Sequence, residues 1–215
     1  MTILKLYGAA QTTSTRRVGT VLYEARVPFE LIEVDLRNGE HKTPAYLEKQ
    51  PFGLIPYIDD DGFILYQTRA ICRYIAAKYP ACGLIPTDPK KNALFEQAAS
   101  VELTSFDPSA SMVGFETRAK PRMGLKTDQT VIDKEIATLD KMLAVYDTIL
   151  AKQKYLAGDE LTLADLFHLP YAPLLATTGS DVMTRRPNVS RWYNELVSRP
   201  CWLVFTDGVK TTIEY

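Results

Sequence analysis

Apolar and polar positions change their period along the first eighty residues, and the changes mark elements. "TILKLY" is short and apolar and predicts a strand. From Ser14 to Arg26 the apolar residues Val18, Val21, Leu22 and Ala25 share one helical face. "FELIEV" predicts a second strand after the break at Val27-Pro28. "TPAYLEKQ" opens with a Thr43 cap and Pro44 in the first helical position, which predicts a short helix. "IPYIDDDGFILY" predicts a hairpin turning at Asp61-Gly62. "QTRAICRYIAAKY" predicts a third helix, stopped by Pro80.

The resulting order, β-α-β-α-β-β-α over residues 1–80, is the layout of an α/β thioredoxin-like domain. The stretch "PACGLIPTDPKK" is rich in breakers, so residues 81–90 form a linker. Residues 91–215 predict an all-helical C-terminal domain. Within it, 91–119 is one long helix or a bent pair, with irregularity expected at Pro108 and Gly114. Ile132, Ile136, Leu139, Leu143, Tyr146 and Ile149/Leu150 step by threes and fours as one buried stripe. "LTLADLFHLPYAPLLATT" and "NVSRWYNELVSR" each supply a further helix.

Composition narrows the function classes. The chain is 46% hydrophobic and 24% charged, with a net charge of -1, so no basic field recruits nucleic acid. No apolar run reaches the roughly 18 residues of a membrane span, and no signal peptide precedes the first strand. Cys72, Cys82 and Cys201 lack metal or redox spacing. They read as small buried hydrophobes in a reducing, cytoplasmic setting, and no metal site is expected.

The candidate chemistry lies at two helix starts. Thioredoxin-like domains place reactive thiols where the first strand meets the first helix. Here that place reads "QTTST", with no cysteine. A helix N-terminus offers unpaired N–H groups and partial positive charge, which stabilise a thiolate. Any sulfur there must arrive with a ligand. Thr12, Thr13 and Ser14 either cap the helix or donate hydrogen bonds to that sulfur. Pro56 follows Ile55 directly before a strand, where a cis-proline exposes the preceding backbone to a peptide-like ligand. Gln67 and Thr68 begin the third helix, a place suited to a carboxylate. His41 and Lys42 end a polar loop. Together these features suit an extended peptide with a carboxylate at each end.

The segments "STRRV", "PFELIEVDLRNGEHK", "PFGLIPYIDDDGFILYQTRAICRYIAAKYP", "FDPSAS" and "LTLADLFHLPY" resemble cytosolic glutathione transferases, most closely the phi class, along nearly the whole chain. The resemblance implies conjugation of glutathione, as co-substrate, to hydrophobic electrophilic small molecules by a homodimer. The alternative within the same fold is a glutathione- and hydrophobic-ligand-binding protein with little or no turnover. By resemblance, His41 and Lys42 take the glycyl carboxylate. Ile55 and Pro56 pair with the cysteinyl part, next to Leu54. Gln67 and Thr68 hold the γ-glutamyl end, supported by Arg69. The family's activating serine falls at Thr12, which keeps the hydroxyl but restricts its rotamer. Thr12 is expected to face the sulfur, while Ser14 and Thr15 cap the helix. Leu54 and Gln67-Thr68 stand where phi members often carry glutamine and Glu-Ser. "LTLAD" resembles the family's internal capping motif, with Asp165 reaching back to Thr162. Phe106, Met112, Phe115, Met123, Leu125, Phe167 and Tyr171 are candidates for the hydrophobic substrate site, or else helical core.

Overall fold

The computed structural model describes residues 3–215. The chain divides into two compact units, residues 1–85 with 200–215, and residues 86–199.

The first unit is built on a sheet ordered β2-β1-β3-β4. Strand β1 (Leu4–Gly8) runs parallel to β2 (Phe29–Glu33), pairing Leu4 with Phe29 and Gly8 with Glu33. Strand β3 (Tyr57–Asp60) lies antiparallel to β1, and the hairpin partner β4 (Phe63–Tyr66) completes the edge. The hairpin turns at Asp61 and Gly62, both with positive φ, as the Asp-Gly pair predicts. Helix α1 (Thr13–Glu24) buries Val18, Val21 and Leu22 completely. It packs against α3 (Thr68–Lys78), whose Ile71, Cys72 and Ile75 are equally buried. Thr43 caps the short α2 (Pro44–Leu47), its hydroxyl accepting from the Tyr46 N–H at 3.4 Å.

Residues 200–215 do not continue a helical domain. After a short last helix, α11 (Pro200–Leu203), the chain runs irregularly back over the first unit. The reason is apolar: Trp202, Phe205 and Val209 are buried, and Phe205 meets Phe29 and Tyr23 edge-on at 6.3 and 5.8 Å. Thr212 then pairs antiparallel with Phe29 and covers the exposed edge of β2.

The second unit is helical. Its first stretch keeps one direction through α4 (Pro89–Val101), α5 (Asp107–Gly114) and α6 (Lys120–Arg122), joined by π-helical turns at Glu102–Phe106 and Phe115–Ala119. The irregularity expected at Pro108 and Gly114 therefore takes the form of two π-bulges, one ending just before Pro108 and one starting just after Gly114. Helix α7 (Gln129–Leu150) buries Ile132, Leu139, Leu143, Tyr146 and Leu150; Ile136 and Ile149 are only half-buried. The predicted helix over "LTLADLFHLPYAPLLATT" is broken into α8 (Leu163–Leu166) and α9 (Ala172–Leu175), because Pro170 and Pro173 interrupt the backbone ladder. Helix α10 (Pro187–Val197) seats Trp192 in the core.

Asp165 ties this unit together. It is fully buried, and its Oδ2 accepts from the Thr162 N–H and hydroxyl at 3.0 and 3.1 Å. Its Oδ1 accepts from the Leu156 N–H at 3.0 Å and the Trp192 indole at 2.9 Å. The capping role read from "LTLAD" is present, and two donors from outside the motif are added to it.

Candidate functional site

The turn from β1 into α1 carries the hydroxyl run. Thr12, not Ser14 or Thr15, is the N-cap of α1: its backbone is extended and its Oγ1 accepts from the Thr15 N–H at 3.4 Å. The same oxygen lies 2.9 Å from the Ala9 carbonyl and 2.8 Å from Thr15 Oγ1. A carbonyl can only accept, so the Thr12 proton goes to Ala9 and the Thr15 hydroxyl donates in return. Ser14 Oγ approaches Thr12 Oγ1 at 3.4 Å. The expected capping order is reversed because α1 begins at Thr13, one residue before the predicted Ser14, which puts Thr12 in the extended position that a cap requires.

Gly8 makes this arrangement possible. A Cβ there would stand 2.5 Å from Thr15 Oγ1, 2.9 Å from its Cγ2 and 3.2 Å from the Pro56 Cβ. The end of β1, the first turn of α1 and Pro56 thus converge on a glycine. The Ile55-Pro56 bond is cis, as the context predicts. Ile55 precedes Tyr57, the first paired residue of β3, so its peptide groups lie outside both ladders that flank the strand. Beneath it, Tyr46, Tyr57 and Val34 form a small core with Tyr7 and Ile55 packed against it. Tyr7 and Tyr57 stack at 4.4 Å. Burial pushes the Tyr57 phenol up to about 12, so it stays protonated at neutral pH. The Tyr46 hydroxyl donates to the Leu54 carbonyl at 2.8 Å and shapes the loop leading to Pro56. The Leu54 side chain itself is exposed.

The start of α3 lies in the same unit. Gln67 holds a positive φ of 71°, a strained backbone for a residue with a side chain. Thr68 Oγ1 accepts from Arg17 Nη1 at 3.2 Å. Arg17 is only 5% exposed. Sequence reasoning named Arg69 as the support and missed Arg17. The signal was present: Arg17 is four residues before Val21 and therefore on the buried face of α1. Arg69 is half-buried on α3.

His41 and Lys42 sit on a 3-10 turn (Glu40–Lys42) that follows Gly39. The His41 Nδ1 is buried and has no hydrogen-bond partner. Lys42 Nζ donates to the Gly53 carbonyl at 2.6 Å, and an ammonium has two further protons to offer.

Cys72 cannot replace the ligand's thiol. Burial pushes Cys72 up to about 12, and its Sγ lies 4.0 Å from the Arg17 carbonyl. Among the described residues no cluster of His, Cys, Asp and Glu could hold a metal. No helix among them is long and apolar enough to cross a membrane.

The apolar candidates of the second unit fall into two groups. Phe106 and Phe167 are fully buried, with Phe106 against the His168 ring at 4.5 Å. Met112, Phe115, Met123 and Leu125 are exposed, and Tyr171 is half-buried. Phe115 opens the second π-bulge, and Met112 lies on α5 just before it.

Residues 3–77 match the family model described as "Glutathione S-transferase, N-terminal domain", and residues 106–200 match "Glutathione S-transferase, C-terminal domain". The chain belongs to the glutathione S-transferase family. It is 47% identical over 198 residues to glutathione S-transferase PM239X14 of Arabidopsis thaliana, covering 90% of this chain and 91% of that protein. It superposes with a TM-score of 0.92 and 40% identity on the crystal structure of glutathione transferase F7 from Populus trichocarpa, covering 97% of this chain and 100% of that one. A maize glutathione S-transferase I in complex with an atrazine glutathione conjugate gives a TM-score of 0.89 at 34% identity, covering 95% and 96%. These relatives place the chain with the phi class and favour a transferase over the ligand-binding alternative.

Proposed function

We infer that this transferase presents the glutathione thiolate at the N-terminus of α1 and joins it to a hydrophobic electrophile. The thiol loses its proton to solvent, its sulfur attacks the electrophilic carbon, and a C–S bond forms as the leaving group departs with its electron pair. Thr12 turns its proton from the Ala9 carbonyl to the sulfur. The first-turn N–H groups of α1 add their partial charge. His41 Nδ1 and Lys42 receive the glycyl carboxylate, the Ile55 backbone pairs with the cysteinyl part beside Leu54 and Pro56, and Gln67 and Thr68 hold the γ-glutamyl end.

The observation that carries this reading is the convergence on Gly8 of Pro56 and of Thr15, whose hydroxyl bonds Thr12, which sets a hydroxyl beside a strand entrance left free for a peptide. In the second unit the exposed Met112, Phe115, Met123 and Leu125, with Tyr171, make adaptable apolar contacts for the electrophile. Phe106 and Phe167 support them from the core. The protein acts as a cytoplasmic homodimer in this reading. Phe52, 63% exposed and edge-on to Tyr66 at 5.8 Å, and Leu54 two residues on, also exposed, support it as apolar side chains left for a partner surface.

The test is conjugation of aryl halides and isothiocyanates to glutathione, run beside displacement of a fluorescent apolar ligand. Turnover of at least one class is expected. Tight displacement without turnover of any class overturns the assignment.

A further inference from the structure

We propose that the C-terminal segment Asp207–Val209 is a positioning element: it clamps the turn that carries Thr12 and so sets the acidity of the bound thiol. This rests on the functional reading above.

The turn between β1 and α1 is gripped on both sides of one residue. The Ala10 N–H points at the Glu33 carboxylate, 3.2 and 3.1 Å from its two oxygens. The Ala10 carbonyl accepts from the Val209 N–H at 3.0 Å. The next side chain joins in, with Gln11 Nε2 donating to the Asp207 carbonyl at 2.5 Å. Two backbone groups of the tail and one strand carboxylate therefore hold the peptide just ahead of Thr12.

Gly208 lets the tail lie this close. Its φ is +106°, and a Cβ would stand 2.7 Å from Gln11 Nε2 and 3.3 Å from the Ala10 oxygen. Val209 also holds α1 itself: a Cβ on Gly19 would meet both its methyl carbons at 3.0 Å. The segment is anchored at either end. Upstream, the Arg16 guanidinium lies 3.3 Å from the Trp202 ring centroid and donates to the Trp202 carbonyl at 3.1 Å. Downstream, Thr212 pairs with Phe29, and the Tyr215 hydroxyl donates to the Val27 carbonyl at 2.7 Å.

These contacts serve two separable ends. The Thr212 and Tyr215 contacts close the β2 edge and contribute stability. The 207–209 contacts aim the turn. A hydrogen bond weakens steeply with angle, and a donor acts on a developing charge only when it is already in place. Loosening the clamp widens the directions that the Thr12 hydroxyl samples and so weakens its bond to the sulfur.

The experiment reads the ultraviolet thiolate absorbance of enzyme-bound glutathione against pH, with kcat and KM, in the full-length parent, Gly208→Ala, Gln11→Met and Tyr215→Phe. Gly208→Ala is expected to raise the bound thiol's pKa by about one unit, a tenfold loss of thiolate below that pH. It should lower kcat with little change in the KM for glutathione. Gln11→Met should shift both in the same direction by less. Tyr215→Phe should lower the melting temperature and leave the pH profile in place. If Gly208→Ala fails to fold, Gln11→Met decides alone. A thiol pKa unchanged in the clamp variants overturns the proposal, as does an equal shift in Tyr215→Phe. A parent that does not acidify bound glutathione overturns the functional reading, and this proposal with it.

Discussion

Arg17 and Thr68 join two helices: the guanidinium on the buried face of α1 donates to the hydroxyl that opens α3 at 3.2 Å. The residue we propose for the γ-glutamyl end is thus held by the helix we propose to present the thiolate. Arg17→Lys and Thr68→Val should each raise the KM for glutathione, by up to about tenfold for a lost bond to a charged donor. Their effects should not add in the double variant, because both remove one contact. Steady-state kinetics on the four proteins checks this; additive effects would mean that Arg17 acts elsewhere.

We assign Thr12 two duties, capping α1 and donating to the sulfur, and its variants remove or keep both. Thr12→Val removes the donor and the cap together. It should lower stability by about 1 kcal/mol and raise the bound thiol's pKa by roughly one to two units. Thr12→Ser keeps both functions and should match or exceed the parent in turnover. Ser14→Ala should leave the thiol where it was, since Ser14 reaches Thr12 only at 3.4 Å. A thiol that moves with Ser14→Ala and not with Thr12→Val would transfer the role to Ser14.

Gly8→Ala places a methyl 2.5 Å from Thr15 Oγ1 and should destabilise the first unit by about 1–3 kcal/mol. Thr15→Ala removes both Thr15 atoms that the methyl would strike. The Gly8→Ala/Thr15→Ala double variant should therefore melt above Gly8→Ala alone. Thermal denaturation of the three variants and the parent measures this directly.

Asp165→Ala strands four donors in a buried place: two N–H groups, a hydroxyl and an indole. At about 1–3 kcal/mol for each unsatisfied group, the loss should far exceed the roughly 1 kcal/mol of a simple cap. Refolding yield and melting temperature should fall sharply, with the KM for glutathione unchanged in whatever protein folds. Loss of turnover at normal stability would place Asp165 in the site instead.

Asp140 supplies a pH signature. Its carboxylate accepts from Arg186 at 2.6 Å and Arg185 at 3.1 Å. The bond from Arg186, working against partial burial, holds its pKa below the ordinary carboxylate range. A depressed carboxylate stabilises the fold above its unfolded pKa, about 3.9, and the contribution disappears as pH falls through the lower folded value. Asp140→Asn should cost about 1 kcal/mol or less at neutral pH, because the pair is partly exposed. The gap should close in acid. Denaturant melts at pH 7 and near pH 3 compare the two; a gap that persists in acid would refute the ionic origin.

Periodicity and breakers by themselves determined the elements of the first unit, the hairpin at Asp61-Gly62 and the main stripe of α7. These are local choices, made by side-chain alternation and turn chemistry within a few residues. The same local rules named the two helix starts, because Thr12 and Thr68 are polar residues beside apolar faces. Tertiary structure decided what depends on residues distant in sequence. It placed Pro56 and Thr15 against Gly8, brought Arg17 to Thr68, and added Leu156 and Trp192 to the Asp165 cap. It also sent the last sixteen residues back to the first unit. Their apolar spacing is compatible with any buried surface. Only the folded sheet offered the open β2 edge and the groove beside α1 that Val209 and Thr212 fill, since burial rewards area and has no direction of its own.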